Sequence, residues 1–294
     1  MTRLPIVVAI PTKNEERNIA GTVRSVIDHF EAVVVVDSDS TDATRALAEA
    51  EGAEVVPYTW DGKYPKKKQW CLDHVRPDID WVLFVDGDEA PSPELLAELR
   101  HVFLDGRPVR PAAFDIPLGY WFAGRRLRHG YTIVKRALVD RTRTRFPEPD
   151  DLGAPGMGEQ EGHYQPLADP VHRLSGTLEH NDLDPVGTWF DRHNRYAEWE
   201  AWLECRPEVR EQIRTAKTRA GQLFHRAPFK PLVSFAYGYV LKRGFLDGRA
   251  GFDYALGLSL YRWQIGVRAR EMDRLEREAA GERPASGALP RRPA

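Results

Sequence analysis

Two acidic residues separated by one glycine follow an apolar stretch of the chain. Asp86-Gly87-Asp88 comes directly after Trp81–Val85, a run typical of a buried strand. Two carboxylates on one turn can face a single hard cation, and Mg²⁺ or Mn²⁺ prefers such oxygen ligands and shares them with substrate phosphates. Asp-Gly is equally common in ordinary turns, so the triplet alone leaves a plain polar turn open.

A second polar cluster, residues 37–42, follows the β-branched run Ala32–Val36. A carboxylate at the end of a strand can accept hydrogen bonds from ribose hydroxyls or from a base N–H. Asp42 is explained by its place at the positive end of the next helix. The pattern therefore favours Asp37 or Asp39 as a ligand contact.

A third polar loop, residues 11–18, follows the apolar run Ile6–Ile10. By itself it is typical of a capped helix start. Three such loops at neighbouring strand ends are harder to explain in that way, because ligands of open α/β sheets lie beyond the carboxyl ends of the strands. The three loops together predict a ligand site at one edge of a sheet.

The elements that must position these loops alternate between strand and helix in the first third of the chain. This alternation predicts an open, mostly parallel α/β sheet. Predicted strands are Ile6–Ile10, Ala32–Val36, Glu54–Pro57 and Trp81–Val85, and predicted helices are Asn14–His29, Asp42–Glu51 and one starting after Ser92.

The rest of the chain is less regular. Strands are predicted at Phe114–Pro117 and Tyr131–Val134, a loop over Arg141–Gly162, and helices beyond Asp184, where Trp189–Leu203 has the spacing of a packed helix. We expect a catalytic domain over 1–185, with a nucleotide half at 1–110 and an acceptor half at 111–185. A helical region over 186–280 and a disordered tail over 281–294 would follow.

The composition excludes a disordered, a collagen-like and a polytopic membrane protein. The 294 residues are 42% hydrophobic and 29% charged, as in globular proteins, and two cysteines cannot form a disulfide framework. No signal peptide and no run of about 18 apolar residues is found.

Charge is distributed unevenly along the chain. Residues 206–270 carry 13 Lys and Arg against 4 Asp and Glu, mixed with bulky apolar side chains. This mixture favours helices at an anionic membrane surface over nucleic-acid binding, with a packed helical subdomain as the alternative.

The three motifs, in this order and spacing, resemble those of family-2 glycosyltransferases of the GT-A fold. The first resembles the strand–Pro-x-x-Asn-Glu segment and the second Val-Val-Asp-x-x-Ser-Thr-Asp, with Ser38-Asp39 where Asp-Gly or Ser-Gly is usual. The third resembles the Asp-x-Asp motif. Segments around Trp60–Lys63, Lys68-Gln69, His180–Asp182, His193–Tyr196 and Gly244–Gly248 are similar to a subgroup of lipopolysaccharide-core and cell-surface polysaccharide transferases.

The resemblance implies roles for individual residues. Asp88 and Asp86 would hold Mn²⁺ or Mg²⁺ at the diphosphate. The nucleotide-sugar would contact Pro11, Thr12, Glu15, Asp37, Asp39, Lys63, Lys68, Gln69, Asp86 and Gly87. An inverting enzyme needs a general base, for which we favour Glu161 and keep Glu159 open.

The acceptor half contains further candidates. Aromatic faces stack on sugars and arginines bind phosphates, so we expect Trp121, Arg125, Arg126 and His163 at the acceptor. A hairpin with a cationic exposed face is the plainer alternative. His163 and His180 are also possible metal or diphosphate contacts.

Together these observations predict a metal-dependent, inverting glycosyltransferase that uses a UDP-linked donor and a lipid-linked or cell-surface saccharide acceptor. We expect it in the cytoplasm, peripheral on the inner face of the cytoplasmic membrane, without nucleic acid as a partner. A nucleotidyltransferase or dehydrogenase would need glycine-rich phosphate loops that the chain lacks. A catalytically inactive GT-A-like scaffold or saccharide-binding protein remains the alternative.

Overall fold

The computed structural model describes residues 2–106, 111–162, 164–213 and 229–281. It confirms the expected α/β fold with a C-terminal helical region. The predictions for His163 and for the tail beyond residue 281 concern residues outside the described ones.

The strands fall mainly in the first 180 residues. They are β1 Leu4–Thr12, β2 Phe30–Asp37, β3 Glu54–Pro57, β4 Trp81–Phe84, β5 Glu89–Pro91, β6 Ala113–Phe122, β7 Arg125–Arg126, β8 Val134–Asp140, β9 Val171–Arg173 and β10 Leu178–His180.

The helices alternate with the strands in the first part of the chain, and the described elements after β10 are all helical. They are α1 Ile19–Val26, α2 Thr44–Ala50, α3 Lys67–His74, α4 Pro93–Leu104, α5 Val186–Glu204, α6 Pro207–Gln212, α7 Lys230–Phe235 and α8 Gly248–Ala279. A π-helical turn, Ala236–Leu241, and a 3₁₀ turn, Gly244–Asp247, connect α7 to α8.

In the described part of the chain one sheet has the order β3-β2-β1-β4-β8-β6-β10-β5. Strands β3, β2, β1 and β4 run parallel, so their carboxyl ends lie at one edge. Strand β8 is antiparallel to both β4 and β6. The predicted parallel sheet is therefore the first half of a mixed one.

Both faces of the parallel strands are covered, which explains their unbroken apolar sequences. Side chains of alternate residues in β1 and β2 enter two different clusters. Val8 and Val35 pack against α1 and α4, whereas Ala9 and Val34 pack against α3 and α5. Helix α5 thus belongs to the core of the sheet domain as well as to the C-terminal region.

Several elements differ from the predicted ones. Helix α1 begins at Ile19, not at Asn14, because the backbone of the loop before it bonds to the β2–α2 loop. Strand β8 begins at Val134, where the predicted strand ends. Helix α3 was not predicted, because its buried face includes Lys67 and Gln69. None of the described helices is both long enough and apolar enough to cross a bilayer.

Candidate active site

The loops after β1 and β2 meet at the carboxyl edge of the sheet. Thr12 and Asp37, the last residues of the two strands, are register partners. Asp37 is fully buried and accepts hydrogen bonds from Ser40 and from Arg45. Although burial opposes the charge, these donors hold the pKa of Asp37 below its ordinary value. Its carboxylate is thus ionised and fixed beneath the predicted nucleotide position.

Asp39 occupies the position where the resembled motif usually has glycine. Its backbone has φ = 52°, in the left-handed region that glycine adopts at no cost and that aspartate tolerates better than most residues. The side chain is exposed and lies 3.1 Å from Arg45 Nη2. The departure from the motif therefore preserves the turn while adding an exposed carboxylate.

A buried lysine joins the two loops. Lys67 Nζ donates to the Thr12 carbonyl at 2.8 Å and to Ser38 Oγ at 2.6 Å. Glu159 lies on the same side, 3.5 Å from Lys67 Nζ. Burial lowers the pKa of Lys67, and the Glu159 carboxylate opposes that shift. Sequence reasoning selected the neighbouring Lys68 and missed Lys67, because α3 was not predicted.

Glu161 lies at the start of helix α3. Its Oε1 accepts hydrogen bonds from the backbone N–H groups of Lys68, at 2.6 Å, and Gln69, at 3.0 Å. A carboxylate in this position satisfies N–H groups that have no partner within the helix. Burial raises the pKa of Glu161, which is 3% exposed. This placement differs from the expected one, in which Glu161 faces an acceptor.

The other residues expected on the nucleotide side divide between buried and exposed. Gln69 is buried, and its side-chain carbonyl accepts the N–H of Phe146 at 2.8 Å. This hydrogen bond connects α3 to the loop that follows β8. Lys63 is exposed in the β3–α3 loop. Lys68 Nζ lies 3.9 Å from Asp86 Oδ1 and so connects α3 to the acidic turn.

Lys135 on β8 contacts the acidic turn after β4, residues 86–89. Lys135 Nζ lies 2.8 Å from Asp86 Oδ2 and 2.7 Å from Glu89 Oε2. Burial disfavours the charge of Asp86, but Lys135 and Lys68 hold its pKa below the ordinary value. Asp86, predicted as a metal ligand, thus already has two cationic partners.

Gly87 passes close to the loop after β1. A Cβ atom on Gly87 would lie 2.8 Å from Glu15 Cγ, so only glycine fits there. The Gly87 carbonyl accepts the hydroxyl of Thr22 at 2.7 Å. Burial and the nearby charge of Asp88 raise the pKa of Glu15 to about 7. Glu15 and Asp88 therefore share one partly enclosed space.

Asp88 faces a histidine from β10. His180 Nδ1 lies 3.3 Å from Asp88 Oδ1, yet it is buried and makes no well-aligned hydrogen bond. Adjacent ligands of an octahedral Mg²⁺ with bonds of about 2.1 Å are about 3 Å apart, so this spacing fits two ligands of one cation. No group of three or more His, Cys, Asp or Glu side chains with metal-site geometry occurs among the described residues. The pair fits a cation whose other ligands come from substrate.

Helix α5 and β6 cover this pair with aromatic rings. Tyr120 stacks on His180 with centroids 4.9 Å apart, and its hydroxyl accepts the indole N–H of Trp189 at 3.0 Å. The charge of Asp88 also acts on Arg192, which bonds to Asp182 and has a raised pKa. The sequence predicted the helix of α5 but assigned its stripe to the core, so these neighbours of Asp88 were missed.

The predicted acceptor residues form a separate cluster. Arg126 binds Glu179 with two hydrogen bonds of 2.7 Å, and Trp121 donates to the same carboxylate at 3.1 Å. Because side chains alternate along a strand, Glu179 and Trp121 face the opposite side of the sheet from His180 and Tyr120. The structure therefore does not bring Trp121 and Arg126 together with Asp88. Arg125 is exposed at the hairpin end.

A cleft of about 480 Å³ borders this cluster. Its lining combines backbone of β6 with the cationic hairpin and the following turn, including Gly119, Arg126, Arg128, His129 and Tyr131. Glu179 takes the space over Gly119, where a Cβ atom would lie 2.2 Å from its Oε1. Strands β6 and β7 form a hairpin whose end carries exposed arginines, as in the plainer of the two expectations for this segment.

Two glycosyltransferases match the chain over about a third of its length or less. An uncharacterized glycosyltransferase of Rickettsia conorii is 39% identical over 112 residues, 37% of this chain and 38% of the relative. Glycosyltransferase AglJ of Haloferax volcanii is 38% identical over 84 residues, 28% of this chain and 27% of its own. The chain thus spans about 38% of the length of the first of these relatives.

Among solved structures, glucosyl-3-phosphoglycerate synthase of Mycobacterium tuberculosis, in complex with Mn²⁺, UDP and glucosyl-3-phosphoglycerate, has a TM-score of 0.39 at 18% identity. The match covers 68% of this chain and 79% of that chain. The sequence model of glycosyl transferase family 2 matches residues 7–156, half of the chain and the part that contains all three strand-end loops. The chain belongs to glycosyl transferase family 2.

Proposed function

We propose that the chain is a metal-dependent glycosyltransferase that moves a sugar from a nucleotide-sugar, most simply a UDP-sugar, to a saccharide acceptor. The observation that carries the proposal is the meeting of Asp88 and His180 beside the polar loops after β1 and β2. Membership of the family supplies the reaction class.

The arrangement suggests how the donor would lie. The nucleoside would rest on the loops that Lys67 joins, above Asp37 and Thr12. The diphosphate would reach Asp88 and His180, with Lys68 on the same side. A bound Mg²⁺ or Mn²⁺ would neutralise the departing diphosphate. The chain's own residues would hold the donor and exclude water with the rings of Tyr120 and Trp189.

Transfer with inversion is a single displacement, and we propose it here. The acceptor hydroxyl oxygen forms a bond to the anomeric carbon while the bond from that carbon to the diphosphate breaks. The bonding electron pair leaves with the diphosphate, and the hydroxyl proton passes to a general base. A lipid-linked or cell-surface saccharide is the acceptor that the sequence resemblance implies, and it forms part of the proposal.

A specific observation favours a second candidate, a protein that binds a nucleotide-sugar or saccharide without transferring it. Both glutamates predicted as bases are engaged within the protein. Glu161 caps α3, and Glu159, 20% exposed, accepts the hydroxyl of Ser38. Hydrolysis of the donor, or transfer to any acceptor, would exclude this candidate.

The decisive experiment is a thermal-shift screen of nucleotides and nucleotide-sugars with and without Mn²⁺. At 100 times its Kd, a ligand specific to the folded state adds about 2.7 kcal/mol, or roughly 5–10 °C in Tm. We expect a UDP-sugar to raise Tm more with Mn²⁺ than with chelator. Asp88→Asn should abolish the Mn²⁺-dependent part.

The matched control is Asp80→Asn, because Asp80 is an exposed carboxylate at the other end of β4. This variant should respond like the wild type. A Tm that no nucleotide raises, or an Asp88→Asn response equal to that of the wild type, would overturn the proposed function.

A further inference from the structure

Helices α7 and α8, with the turns between them, form a layer on the sheet domain. The two helices run side by side: Ser259 Oγ donates to the Pro231 carbonyl at 2.8 Å, and the rings of Phe235 and Phe252 are 5.8 Å apart. On the inner side, Tyr254 packs on Tyr120 with centroids 5.1 Å apart. The inner and lateral sides of this layer are therefore occupied.

The outer side of α8 carries an apolar stripe. Leu256, Leu260, Trp263 and Val267 follow one another at spacings of four, three and four residues, which places them on one face of a helix. All four are exposed, with Trp263 at 55%. The buried residues Tyr254, Tyr261 and Ile265 lie on the opposite face. Nothing in the described chain covers the stripe.

The preceding segment continues this exposed apolar surface. Leu232 is 68% and Leu241 71% exposed, which is unusual for leucines within ordered helical turns. The other large exposed apolar side chains of the segment are Phe229, Val233, Tyr237, Val240, Phe245 and Leu246. Together with the stripe on α8 they form what we call the outer face.

Within residues 229–246 the charged side chains of the outer face are all basic, and on α8 the partly exposed Asp253 is paired with Arg249. Residues 229–246 contain Lys230, Lys242 and Arg243 and no acidic residue. Lys230 pairs with Glu204 at 2.8 Å, whereas Lys242 lies over the ring of Tyr237 and Arg243 is exposed. Lys242 and Arg243 thus directly follow the exposed Leu241 in the chain. Such a mixture of bulky apolar side chains with Lys and Arg suits the boundary between acyl chains and anionic headgroups.

We propose that the outer face docks on the surface of an anionic phospholipid bilayer, with the protein lying peripherally on it. A second copy of the chain is the weaker occupant, because two-fold pairing of this face would place two copies of the basic segment 229–246, which has no acidic residue, in one interface. The docking itself does not depend on sugar transfer.

The layer that carries the outer face borders the candidate active site on its inner side. From α8, Tyr254 contacts Tyr120, and Tyr120 contacts His180, so two ring contacts separate the docking layer from the Asp88 pair. The turn 128–130 is also fixed to the layer, because Asp247 accepts the N–H groups of Arg128 and His129 and Gly130 donates to the Lys242 carbonyl. If the proposed function holds, docking would hold the site about one helix layer, roughly 10 Å, from a membrane that carries the acceptor.

The test measures binding of the full chain to vesicles of phosphatidylcholine alone and of phosphatidylcholine with phosphatidylglycerol, without donor or acceptor. We expect binding to the anionic vesicles, weakened at high salt but retained in part. Reversal of Lys242 and Arg243 to Glu should lower the partition coefficient at least about 30-fold, since each basic residue contributes about fivefold. Leu232→Ser with Leu241→Ser should remove the salt-resistant part.

Matched controls separate docking from general effects. Leu275→Ser removes an exposed leucine, 51% exposed, that lies off the stripe of α8. Arg3→Glu with Arg145→Glu reverses two exposed arginines in other elements. Both controls should bind vesicles like the wild type, and circular dichroism should show that every variant is folded.

Hydrogen exchange locates the contact directly. Anionic vesicles should protect amides of residues 229–267 and leave the β1–β4 loops unchanged. Absence of binding to anionic vesicles at low salt would overturn the proposal. The proposal would also be overturned if light scattering showed a dimer and if the amides of residues 229–267 already exchanged slowly without vesicles. That result would favour a second copy of the chain as the occupant of the outer face. Neither result would bear on the nucleotide-dependent Tm shifts that test the proposed function.

Discussion

Lys135 Nζ lies 2.8 Å from Asp86 Oδ2 and 2.7 Å from Glu89 Oε2, so one ammonium on β8 bridges two carboxylates of the acidic turn. Glu89 also accepts the backbone N–H of Asp86 at 3.0 Å. The turn that presents Asp88 is therefore built around an ion cluster in which Glu89 is buried and Asp86 is partly exposed. Asp88 itself makes no contact with Lys135 among the described ion pairs and faces His180 instead.

Lys135→Met should destabilise the protein by about 1–3 kcal/mol at pH 7, because it removes the ammonium in contact with both carboxylates and leaves Glu89, which is 1% exposed, with the more distant His180 as its cationic neighbour. In the wild type the pKa values of Asp86 and Glu89 are lowered. The two carboxylates therefore contribute to the free energy of unfolding above the ordinary carboxyl pKa, and this contribution is lost as pH falls through their lowered pKa values. In the variant the two pKa values rise, so protonation relieves the repulsion in mild acid. Urea unfolding should show a smaller gap between the proteins at pH 5 than at pH 7.

Lys135→Arg is the control, since it keeps the charge, and it should recover most of the lost stability. Lys13→Met, which removes an exposed lysine, should change stability little. Equal unfolding free energies of the wild type and Lys135→Met at pH 7 would contradict a supporting role for this ion cluster.

The sequence predicted the part of the fold whose signals are local. Strands β1, β2 and β4 are β-branched or apolar runs, and the polar loops after them stand beside them in the chain. Lys135 escaped notice because its partners Asp86 and Glu89 lie 49 and 46 residues away. Nothing in the local sequence of β8 distinguishes this lysine from a surface one.

The positions of the predicted base and acceptor residues also depend on contacts with residues that are distant in the sequence. Glu161 was selected for its residue type and its motif, yet its partners are backbone N–H groups of a helix that the sequence did not reveal. Trp121 and Arg126 were selected by type, and strand alternation turns them away from Asp88. Residue type predicts which groups can do chemistry, while the pairing of distant strands decides where they face.

His180→Gln tests the pair formed by Asp88 and His180 in metal-free protein kept in chelator. Burial disfavours the imidazolium, but Asp88 and Glu89 raise the pKa of His180 to about 10. A raised pKa contributes stability that is fully present below the unfolded value of about 6.5 and lost as pH rises through about 10. The variant should therefore be less stable by on the order of 3 kcal/mol at pH 6. The difference should shrink steadily towards pH 10.

Chemical denaturation between pH 6 and pH 10 measures this difference. His74→Gln serves as the control, because His74 is exposed on α3 and faces no carboxylate in the described ion pairs. Its difference from the wild type should be small and independent of pH. A His180→Gln deficit that stays constant over the whole range would mean that His180 carries no proton in the apo protein.

Glu161 can be tested as a helix cap and as a base with two substitutions. Glu161→Gln keeps an oxygen for the N–H groups of Lys68 and Gln69, so we expect stability within about 1 kcal/mol of the wild type and turnover within tenfold. Glu161→Ala removes the acceptor and should cost about 1–3 kcal/mol. A stable Glu161→Gln protein that loses turnover by roughly two to four orders of magnitude would instead support the base assignment.

Lys67→Met tests whether the buried lysine organises the nucleotide side. Methionine fills a similar volume but removes the ammonium that donates to the Thr12 carbonyl and to Ser38 Oγ, which should cost about 1–3 kcal/mol of stability. The loops keep their other hydrogen bonds, such as the one from the Ser38 N–H to the Thr12 carbonyl, but lose this buried link. We therefore expect the affinity for UDP to fall about tenfold, measured by calorimetry in chelator. Lys63→Met is the matched comparison, because Lys63 is exposed in the loop before α3 and is one of the two lysines that the resemblance implies on the nucleotide side. If Lys63→Met weakens UDP binding and Lys67→Met does not, the nucleotide is held by the exposed lysine and the buried one only supports the fold.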